Sequence, residues 1–552
     1  MNQIRFLPRN DQDLTPLGNL PGWFSALLRG RGIRTEEEAR RYLSPSQALL
    51  HDPFLLPGMS KTIRLLTEAM SRKETILVYG DYDADGICAT SILLETLHEL
   101  GASLAYRIPS RHSEGYGLNK TAVREMAEKC RLLITVDCGV SNVEEVAQAK
   151  ELGLTVIITD HHQPPQALPP ADVVMDPLLG DYPCPWLCGA GVALKICQAL
   201  QGMEGVEKRL ELAALATVAD LVPLKDENRY IVREGLRHMA VTPRPGLRAL
   251  IRSAGLGVPL QAEDLAFRLG PRLNAAGRLG DARLGVHLLL TPDPEKGERL
   301  ARTLEEMNRN RQEQERTQTA QAIAQVEASA SLPGAHVLLV AGENWNPGLI
   351  GLTAGRVCEK YHLPAVALSI QGEFAVGSCR SIPGIQIYRM LQACSDLLER
   401  FGGHEQAAGL TVRTENLSLL QQRLEQAIAA SAPAECFIPS AEYDLAVPFS
   451  TWSEEALSLL EQLEPTGCGN PAPLFLLQGA AVQSLRRVGR DLSHLKLLLL
   501  TEDQTLVDGI AFSRGEVADE GYTSLDLLYR PVRNAFRGRV SIEAQVYALH
   551  PC

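Results

Sequence analysis

Thr75-Ile-Leu-Val-Tyr-Gly-Asp81-Tyr-Asp83-Ala-Asp85-Gly-Ile-Cys-Ala-Thr90 decides how this chain is read, because an apolar, β-branched run ends in three alternating acids. A run of that length and composition is a strand, and the carboxylates crowd its C-terminal end. Like charges that close raise one another's pKa unless a cation offsets the repulsion. The arrangement recurs. Leu132-Leu-Ile-Thr-Val-Asp137 and Val156-Ile-Ile-Thr-Asp160-His161-His162 are also short apolar runs closed by an acid. An EF-hand calcium loop begins Asp-x-Asp-x-Asp-Gly too, but its twelfth position, a bidentate Glu, falls on Ile92, and a strand-like run stands where a helix should precede it. A solvated acidic loop explains one such triplet, not three strand-end acids with a His-His pair.

Outward from that segment, strand-like runs at 75–79, 103–108, 132–136, 154–159 and 171–175 alternate with helical stretches such as Ala89–Leu100 and Val143–Leu152. This is the pattern of a parallel sheet with helices on both faces. Ligands of such sheets bind beyond the carboxyl ends of the strands, so the acids are expected to converge. Asp220 joins them. It closes the apolar helical run Ala213–Ala219, where an acid at the negative end of a helix serves no capping purpose. From about 297 a long polar segment rich in helix formers reads as a linker helix, and from about 335 a second α/β unit follows. Beyond about 437 short strands with period-two alternation, such as Val540–Leu549, predict an OB-like barrel. The first 60 residues read as an arm packed on the core, with Thr35 capping a short helix.

The chain has 552 residues, 45% of them hydrophobic and 22% charged, which implies a soluble protein of several domains. No apolar run approaches the roughly 18–20 residues that span a bilayer, and the N-terminus lacks a signal-peptide apolar region, so no membrane association and a cytoplasmic location are expected. Twelve scattered cysteines without a C-x-x-C pair point to reduced, buried thiols and away from zinc. A net charge of −12 would ordinarily speak against nucleic acid. The basic residues are clustered, however. Arg486, Arg487, Arg490, His494 and Lys496, then Arg530, Arg533, Arg537 and Arg539 beside Tyr529 and Phe536, mix cations with aromatics as a single-strand groove does. Arg107 and Arg111 flank a Gly-rich loop that carries Tyr116; guanidinium groups grip phosphate, and the tyrosine offers a stacking face or a wedge. Gly402-Gly403-His404 lets backbone N–H groups approach an anion closely. No G-x-x-x-x-G-K-[ST] segment occurs, which excludes a nucleotide-driven helicase of that class.

Asp81-Tyr-Asp-Ala-Asp-Gly, Val136-Asp-Cys-Gly, Thr159-Asp-His-His, Ala219-Asp-Leu-Val-Pro, Arg272-Leu-Asn-Ala-Ala-Gly-Arg278 and Gly402-Gly-His-Glu-Gln-Ala-Ala-Gly409 together resemble the DHH/DHHA1 phosphoesterase superfamily, named for Asp160-His161-His162. Within it the chain is similar to the single-stranded-DNA-specific exonucleases, by a C-terminal region introduced by Pro465-Thr-Gly-Cys-Gly-Asn-Pro471. The resemblance implies two α/β lobes joined by a long helix plus an OB-like β-barrel: an N-terminal arm over 1–60, a DHH catalytic domain over 61–296, a connecting helix over 297–334, a DHHA1 domain over 335–436 and a nucleic-acid-binding OB-fold over 437–552. It implies two divalent ions, Mn²⁺ or Mg²⁺, with Asp81 and Asp83 on one, Asp85, His161 and Asp220 on the other, and Asp137 bridging. Mixed carboxylate and imidazole ligation suits those metals. His162 would contact the scissile phosphate or protonate the leaving oxygen, and Asp160 would orient a ligand from behind. Asn274 with Arg278, and Ser378 with Arg380, would recognise the 5′ end and the backbone, joining Arg107, Arg111, Tyr116, Gly402, Gly403 and His404. The implied activity is 5′ to 3′ hydrolysis of single-stranded DNA to 5′-mononucleotides in repair and recombination, beside a single-strand-binding protein and a helicase. The competing reading is a small-oligonucleotide phosphodiesterase of the same superfamily, acting on short RNA or cyclic dinucleotides. Such enzymes resemble only the two catalytic lobes. A non-catalytic relative that has lost ligands is disfavoured because each proposed ligand is present.

Overall fold

Period-two burial organises the first lobe. Five strands, Thr75–Gly80, Ser103–Arg107, Leu132–Val136, Thr155–Thr159 and Val173–Met175, pair in parallel in the spatial order second, first, third, fourth, fifth. Ile76, Val78, Ile134 and Ile157 enter one core, while Leu77, Tyr79, Leu133, Val156 and Ile158 enter another on the opposite face. A sheet covered on both faces needs apolar residues at successive positions, which is why these strands read as continuous β-branched runs. The strand order reverses between the first and third strands, and the crevice beyond their carboxyl ends is where such sheets bind ligands. Asp81 and Asp137 leave the sheet at that point.

The computed structural model describes residues 4–9, 13–111, 114–115, 117–329, 334–536 and 539–552. Tyr116 and Arg537 lie outside the described residues, as do the side chains of Phe536 and Arg539. By its contacts the chain forms two compact units, one comprising 45–314 with 465–471, the other 1–44, 315–464 and 472–552.

The helix Pro294–Ala328 runs for 35 residues and leads to the second lobe. There Leu338–Glu343 and Ala365–Gln371 pair in parallel, and Phe374–Arg380, Ala407–Arg413 and Leu398–Gly403 continue the sheet antiparallel. In the C-terminal region, Phe475–Val488, His494–Leu500, Leu506–Ala511, Ser524–Phe536 and Arg539–Pro551 follow the order first, second, third, fifth, fourth. The fourth strand pairs back onto the first and closes the barrel. Full closure leaves no sheet edge open.

The N-terminal segment is built differently from an arm laid on the core. Arg5–Pro8 pairs in parallel with Ser440–Tyr443, and the helices Gly22–Gly30 and Glu36–Leu43 follow. Thr35 does cap the second of these, in a capping box with Glu38. Phe24, Leu27 and Leu28 are fully buried in the same cluster as Trp452, Phe475, Leu497 and Leu527, so this segment completes the barrel's own core. Among the described residues no helix is long and apolar enough to cross a membrane.

Candidate metal centre and strand-binding residues

Local structure fixes each acid before any ligand is considered. Asp83 caps the helix Ala84–Glu99, its carboxylate accepting from the N–H groups of Asp85 (3.0 Å) and Gly86 (3.1 Å). Asp85, 1% exposed, accepts from the N–H groups of Gly189 (2.6 Å) and Ala190 (2.7 Å) at the start of the helix Gly189–Glu207. Asp137 sits just past its strand with φ at +60°, an uncommon conformation for a residue with a side chain. A Cβ at Gly189 would stand 2.5 Å from the Cβ of Asp137, so glycine there lets the helix start close against this acid. Asp220 is the C-cap of the helix Leu210–Ala219.

These groups converge. His161 Nε2 lies 3.1 Å from an oxygen of Asp137 and 3.6 Å from oxygens of both Asp85 and Asp220. Three sets of side chains each bring ligand atoms within 4.8 Å of one another: Asp81, Asp83 and Asp137; Asp85, His161 and Asp220; and Asp137, His161 and His162. Burial, followed by the neighbouring carboxylates, raises Asp81, Asp83 and Asp137 above the usual range and pushes Asp220 to about 8. Burial also lowers His161, leaving a neutral imidazole that can donate a lone pair. Asp81 Oδ1 is buried without a hydrogen-bond partner. Buried carboxylate oxygens beside a neutral imidazole make a donor set suited to divalent cations.

Asp160 plays another part. One oxygen accepts from Val140 N–H (2.9 Å), and the other from the N–H groups of His161 (2.8 Å) and His162 (3.2 Å) and from Nδ1 of His162 (2.8 Å). These bonds use up its lone pairs inside the protein. Although burial opposes a charge on His162, the Asp160 contact outweighs it and raises the imidazole to about 9. His162 is therefore protonated at neutral pH, with Nδ1 held on Asp160 and Nε2 on the far side of the ring.

His162 lines a cleft of about 390 Å³ together with Asp81, Tyr82, Asp83, Arg111, Asp220, Leu221, Asn274 and Arg278. Arg111 stands over the ring of Tyr82 at 5.2 Å. Burial and then Arg111 lower Arg278 to about 10, so two guanidinium groups share one wall. Asn274 Oδ1 accepts from Ala84 N–H at 2.7 Å and thereby ties its helix to the start of the Asp83-capped one. Arg107 is elsewhere. It is paired with Glu114 (2.7 Å) and Glu125 (2.6 Å) and lines a separate cavity of about 580 Å³.

In the second lobe, Ser378, Gly409 and Gly402 face one another across three adjacent strands. Arg380 Nη1 donates to Ser378 Oγ at 3.2 Å, and a Cβ at Gly351, near the start of the helix Ile350–Tyr361, would lie 3.1 Å from Arg380 Nη2. Gly403 has φ at +144° and no room for a Cβ, which would fall 2.4 Å from Ala407 O. The exposed His404 donates its backbone N–H to that oxygen at 2.8 Å.

The barrel revises the basic groove read from the sequence. Tyr529 is fully buried and its hydroxyl accepts from Trp452 Nε1 (2.8 Å), so it belongs to the core. Lys496 pairs with Asp508 and Glu543, Arg487 with Asp519, and Arg533 with Glu454 and Glu461. Arg486 and Arg490 are exposed, and Arg530 stands over the half-exposed ring of Tyr547 at 4.5 Å.

Two residues of the site were not singled out from the sequence. Tyr82 sits between Asp81 and Asp83, where the acids drew the attention. Asp176 follows the fifth strand as Asp81 follows the first; it is fully buried, one oxygen accepts from Leu178 N–H (2.8 Å), the other has no partner, and burial followed by Asp160 raises it to about 7. The strand-end pattern that found the other acids extends to Val173-Val-Met-Asp176.

The profile of the DHH family, N-terminal domain, matches residues 75–221, that of the DHHA1 domain 334–430, and that of the RecJ OB domain 443–548. The chain is 39% identical over 523 residues to the single-stranded-DNA-specific exonuclease RecJ of Bacillus subtilis, covering 93% of this chain and 66% of that protein. It is 34% identical to the Salmonella typhimurium protein of the same name, with 100% of both chains covered. The crystal structure of RecJ in complex with Mn²⁺ from Thermus thermophilus superposes with a TM-score of 0.86 at 31% identity, over 100% of this chain and 80% of that one.

Proposed function

The chain belongs to the RecJ family of DHH proteins, and on that footing we propose that it is a metal-dependent exonuclease that hydrolyses single-stranded DNA from the 5′ end and releases 5′-mononucleotides. The observation that carries the chemistry is the cluster of Asp81, Asp83, Asp85, Asp137, Asp220 and His161, in which burial and neighbouring carboxylates hold Asp81, Asp83, Asp137 and Asp220 above the usual carboxylate range.

Two divalent ions, Mn²⁺ or Mg²⁺, would be held by this donor set, one by Asp81 and Asp83, the other by Asp85, His161 and Asp220, with Asp137 shared, a reading supported by the side-chain groups that come together here. When bound, such ions activate water and stabilise the attacking and leaving oxygens of an in-line displacement. The chain's own residues do the rest. Asp85 and Asp83 are held in place by backbone N–H groups, which fixes where their carboxylates stand. His162, protonated and fixed through Nδ1 by Asp160, presents Nε2 to the scissile phosphate and donates its proton to the leaving 3′ oxygen. Arg111 and Arg278, two cations with a common wall, take the phosphate of the 5′-terminal nucleotide, while Tyr82 and Asn274 bound its position. Ser378, Arg380, Gly402, Gly403 and His404 hold the backbone further along, and Arg486, Arg490 and Arg530 with Tyr547 provide the barrel's contacts. The Glu114 and Glu125 pairs occupy Arg107, so it positions its loop and does not grip phosphate. Tyr116 keeps its proposed stacking role on sequence grounds alone.

A role in repair and recombination, with a single-strand-binding protein and a helicase in the cytoplasm, is part of the same proposal. The small-oligonucleotide reading is disfavoured because the match to single-strand exonucleases extends over the whole chain, barrel included. Digestion of 5′-labelled and 3′-labelled single strands with Mn²⁺, Mg²⁺ or EDTA tests the proposal. Immediate release of mononucleotide from the 5′ label, abolished by chelator and by Asp137→Ala, is expected. Survival of long strands while di- to tetranucleotides disappear would overturn it.

A further inference from the structure

The turn that follows Asp220 is held in an unfavourable shape. Leu221 has φ at +59° and Asp226 at +49°, left-handed values that side-chain-bearing residues adopt only where their surroundings over-determine them. From one side the fully buried Asn228 donates through Nδ2 to Pro223 O (3.0 Å) and Trp186 O (2.6 Å). On another side lies a seven-residue turn from far along the chain, Pro465-Thr-Gly-Cys-Gly-Asn-Pro471.

This turn belongs to the compact unit of residues 45–314, although the chain on both sides of it belongs to the other unit. It is closed by Gly467 N–H to Asn470 O (2.9 Å) and by Asn470 Nδ2 to Pro465 O (2.8 Å). It grips the Asp220 turn at three points. Leu224 N–H donates to Cys468 O at 2.8 Å. The buried Arg229 donates from Nη1 to Pro465 O at 3.3 Å. Gly469, with φ at +66°, lies so close to Pro223 that a Cβ would stand 2.8 Å from the Cβ of that proline.

We propose that Pro465–Pro471 is a positioning element for the metal site: by clamping Pro223 and Leu224 it holds the strained Leu221 link, and so sets where the Asp220 carboxylate stands. The proposal rests on the reading of Asp220 as a metal ligand. A supporting contact of a ligand fixes its placement, and loss of such contacts typically costs about 10–100-fold in metal affinity. The turn grips through its own backbone, the carbonyls of Pro465 and Cys468 and the bare Cα of Gly469, which explains why nothing in its composition resembles a metal motif.

The test uses the full chain, freed of metal, in four forms: wild type, Gly469→Ala, Asp220→Ala and Gly479→Ala. Gly479 is the control, because it has φ at +60° in a barrel strand with nothing within 4 Å of an added Cβ, so the same backbone strain is introduced without a collision. Mn²⁺ affinity is read by calorimetry, mobility of residues 220–226 by hydrogen–deuterium exchange, and turnover against Mn²⁺ concentration on a single strand. Gly469→Ala is expected to weaken Mn²⁺ binding about tenfold or more, to speed exchange at 220–226, and to lose turnover that added Mn²⁺ restores, with KM for the strand unchanged. Gly479→Ala is expected to behave as wild type. Unchanged Mn²⁺ affinity in Gly469→Ala, while Asp220→Ala loses it, overturns the positioning role alone. Equal losses in Gly469→Ala and Gly479→Ala also overturn it, as a general effect of strain. Unchanged affinity in Asp220→Ala overturns the ligand reading itself and the proposal with it. Should Gly469→Ala not fold, Gly467→Ala is the milder variant, since its Cβ would meet only the flexible Leu224 Cδ1 at 2.9 Å, and it is expected to weaken binding in the same direction.

Discussion

Two stretches of this chain carry dense charge, the acidic Asp81–Asp85 and the mainly basic Arg486–Lys496, and the fold treats them in opposite ways. The acids are gathered with Asp137 and Asp220 into one cluster, where burial and then neighbouring carboxylates raise Asp81, Asp83, Asp137 and Asp220. In the basic stretch Lys496 is neutralised by Asp508 and Glu543 and Arg487 by Asp519, as Arg533 further along is by Glu454 and Glu461, while Arg486 and Arg490 stay exposed. Density of charge in a sequence therefore says less than whether the fold supplies partners. Repulsion left standing inside a protein marks a place reserved for something else; repulsion relieved by the protein marks ordinary construction.

The largest effect should come from breaking the first region. Asp137→Ala is expected to lower exonuclease turnover by more than about a hundredfold, beyond what loss of a mere supporting contact to a metal ligand costs. Because the substitution also removes repulsion, the metal-free variant should melt no lower than wild type. Calorimetry beside the label-release assay checks both halves, and a lower melting point would show that Asp137 is a packing residue. Next in size is a pH effect on the metal-free protein. A carboxyl whose folded-state pKa lies above its unfolded value binds protons more tightly when folded, so its contribution to stability is complete below about pH 4 and is lost as pH rises through the folded pKa. With Asp220 at about 8, and Asp81, Asp83 and Asp137 also raised, melting temperature in EDTA should fall by several degrees between about pH 5 and pH 8. Mn²⁺ should flatten that slope.

Smaller effects sharpen the contrast from the barrel's side. Replacing Arg486 and Arg490 together with Ala should raise KM for a long single strand and make its salt dependence shallower by about 0.7 log units per lost phosphate contact, with turnover at saturation unchanged. Lys496→Met should leave KM nearly untouched, since its charge is already spent on Glu543 and Asp508. If instead it raises KM as much as the Arg486 and Arg490 pair, the paired cations exchange their carboxylates for phosphate and the contrast fails.

What the sequence showed plainly was local. A β-branched run followed by an acid is visible in any single stretch, so the parallel sheet, its strand ends and the acids at 81, 83, 85, 137 and 160 were all legible. Asp176 carried the same signal on a strand of three residues, Val173–Met175, too short to stand out. What stayed hidden depends on distant partners. Nothing near Tyr529 shows that its hydroxyl meets an indole from residue 452. The N-terminal helices looked like an arm because the surface they cover is encoded more than 400 residues later.

That separation has a consequence for how the molecule is made. Arg9 and Asp444 are 435 residues apart, and the Phe24, Leu27 and Leu28 face has no cover until the barrel strands exist. At ribosomal speeds of about 5–20 residues per second, the first helices must wait roughly 20 to 90 seconds with that face exposed. Residues 45–314 make up one compact unit together with only 465–471, so most of that unit is synthesised in the meantime. That apolar face is thus made early and covered late.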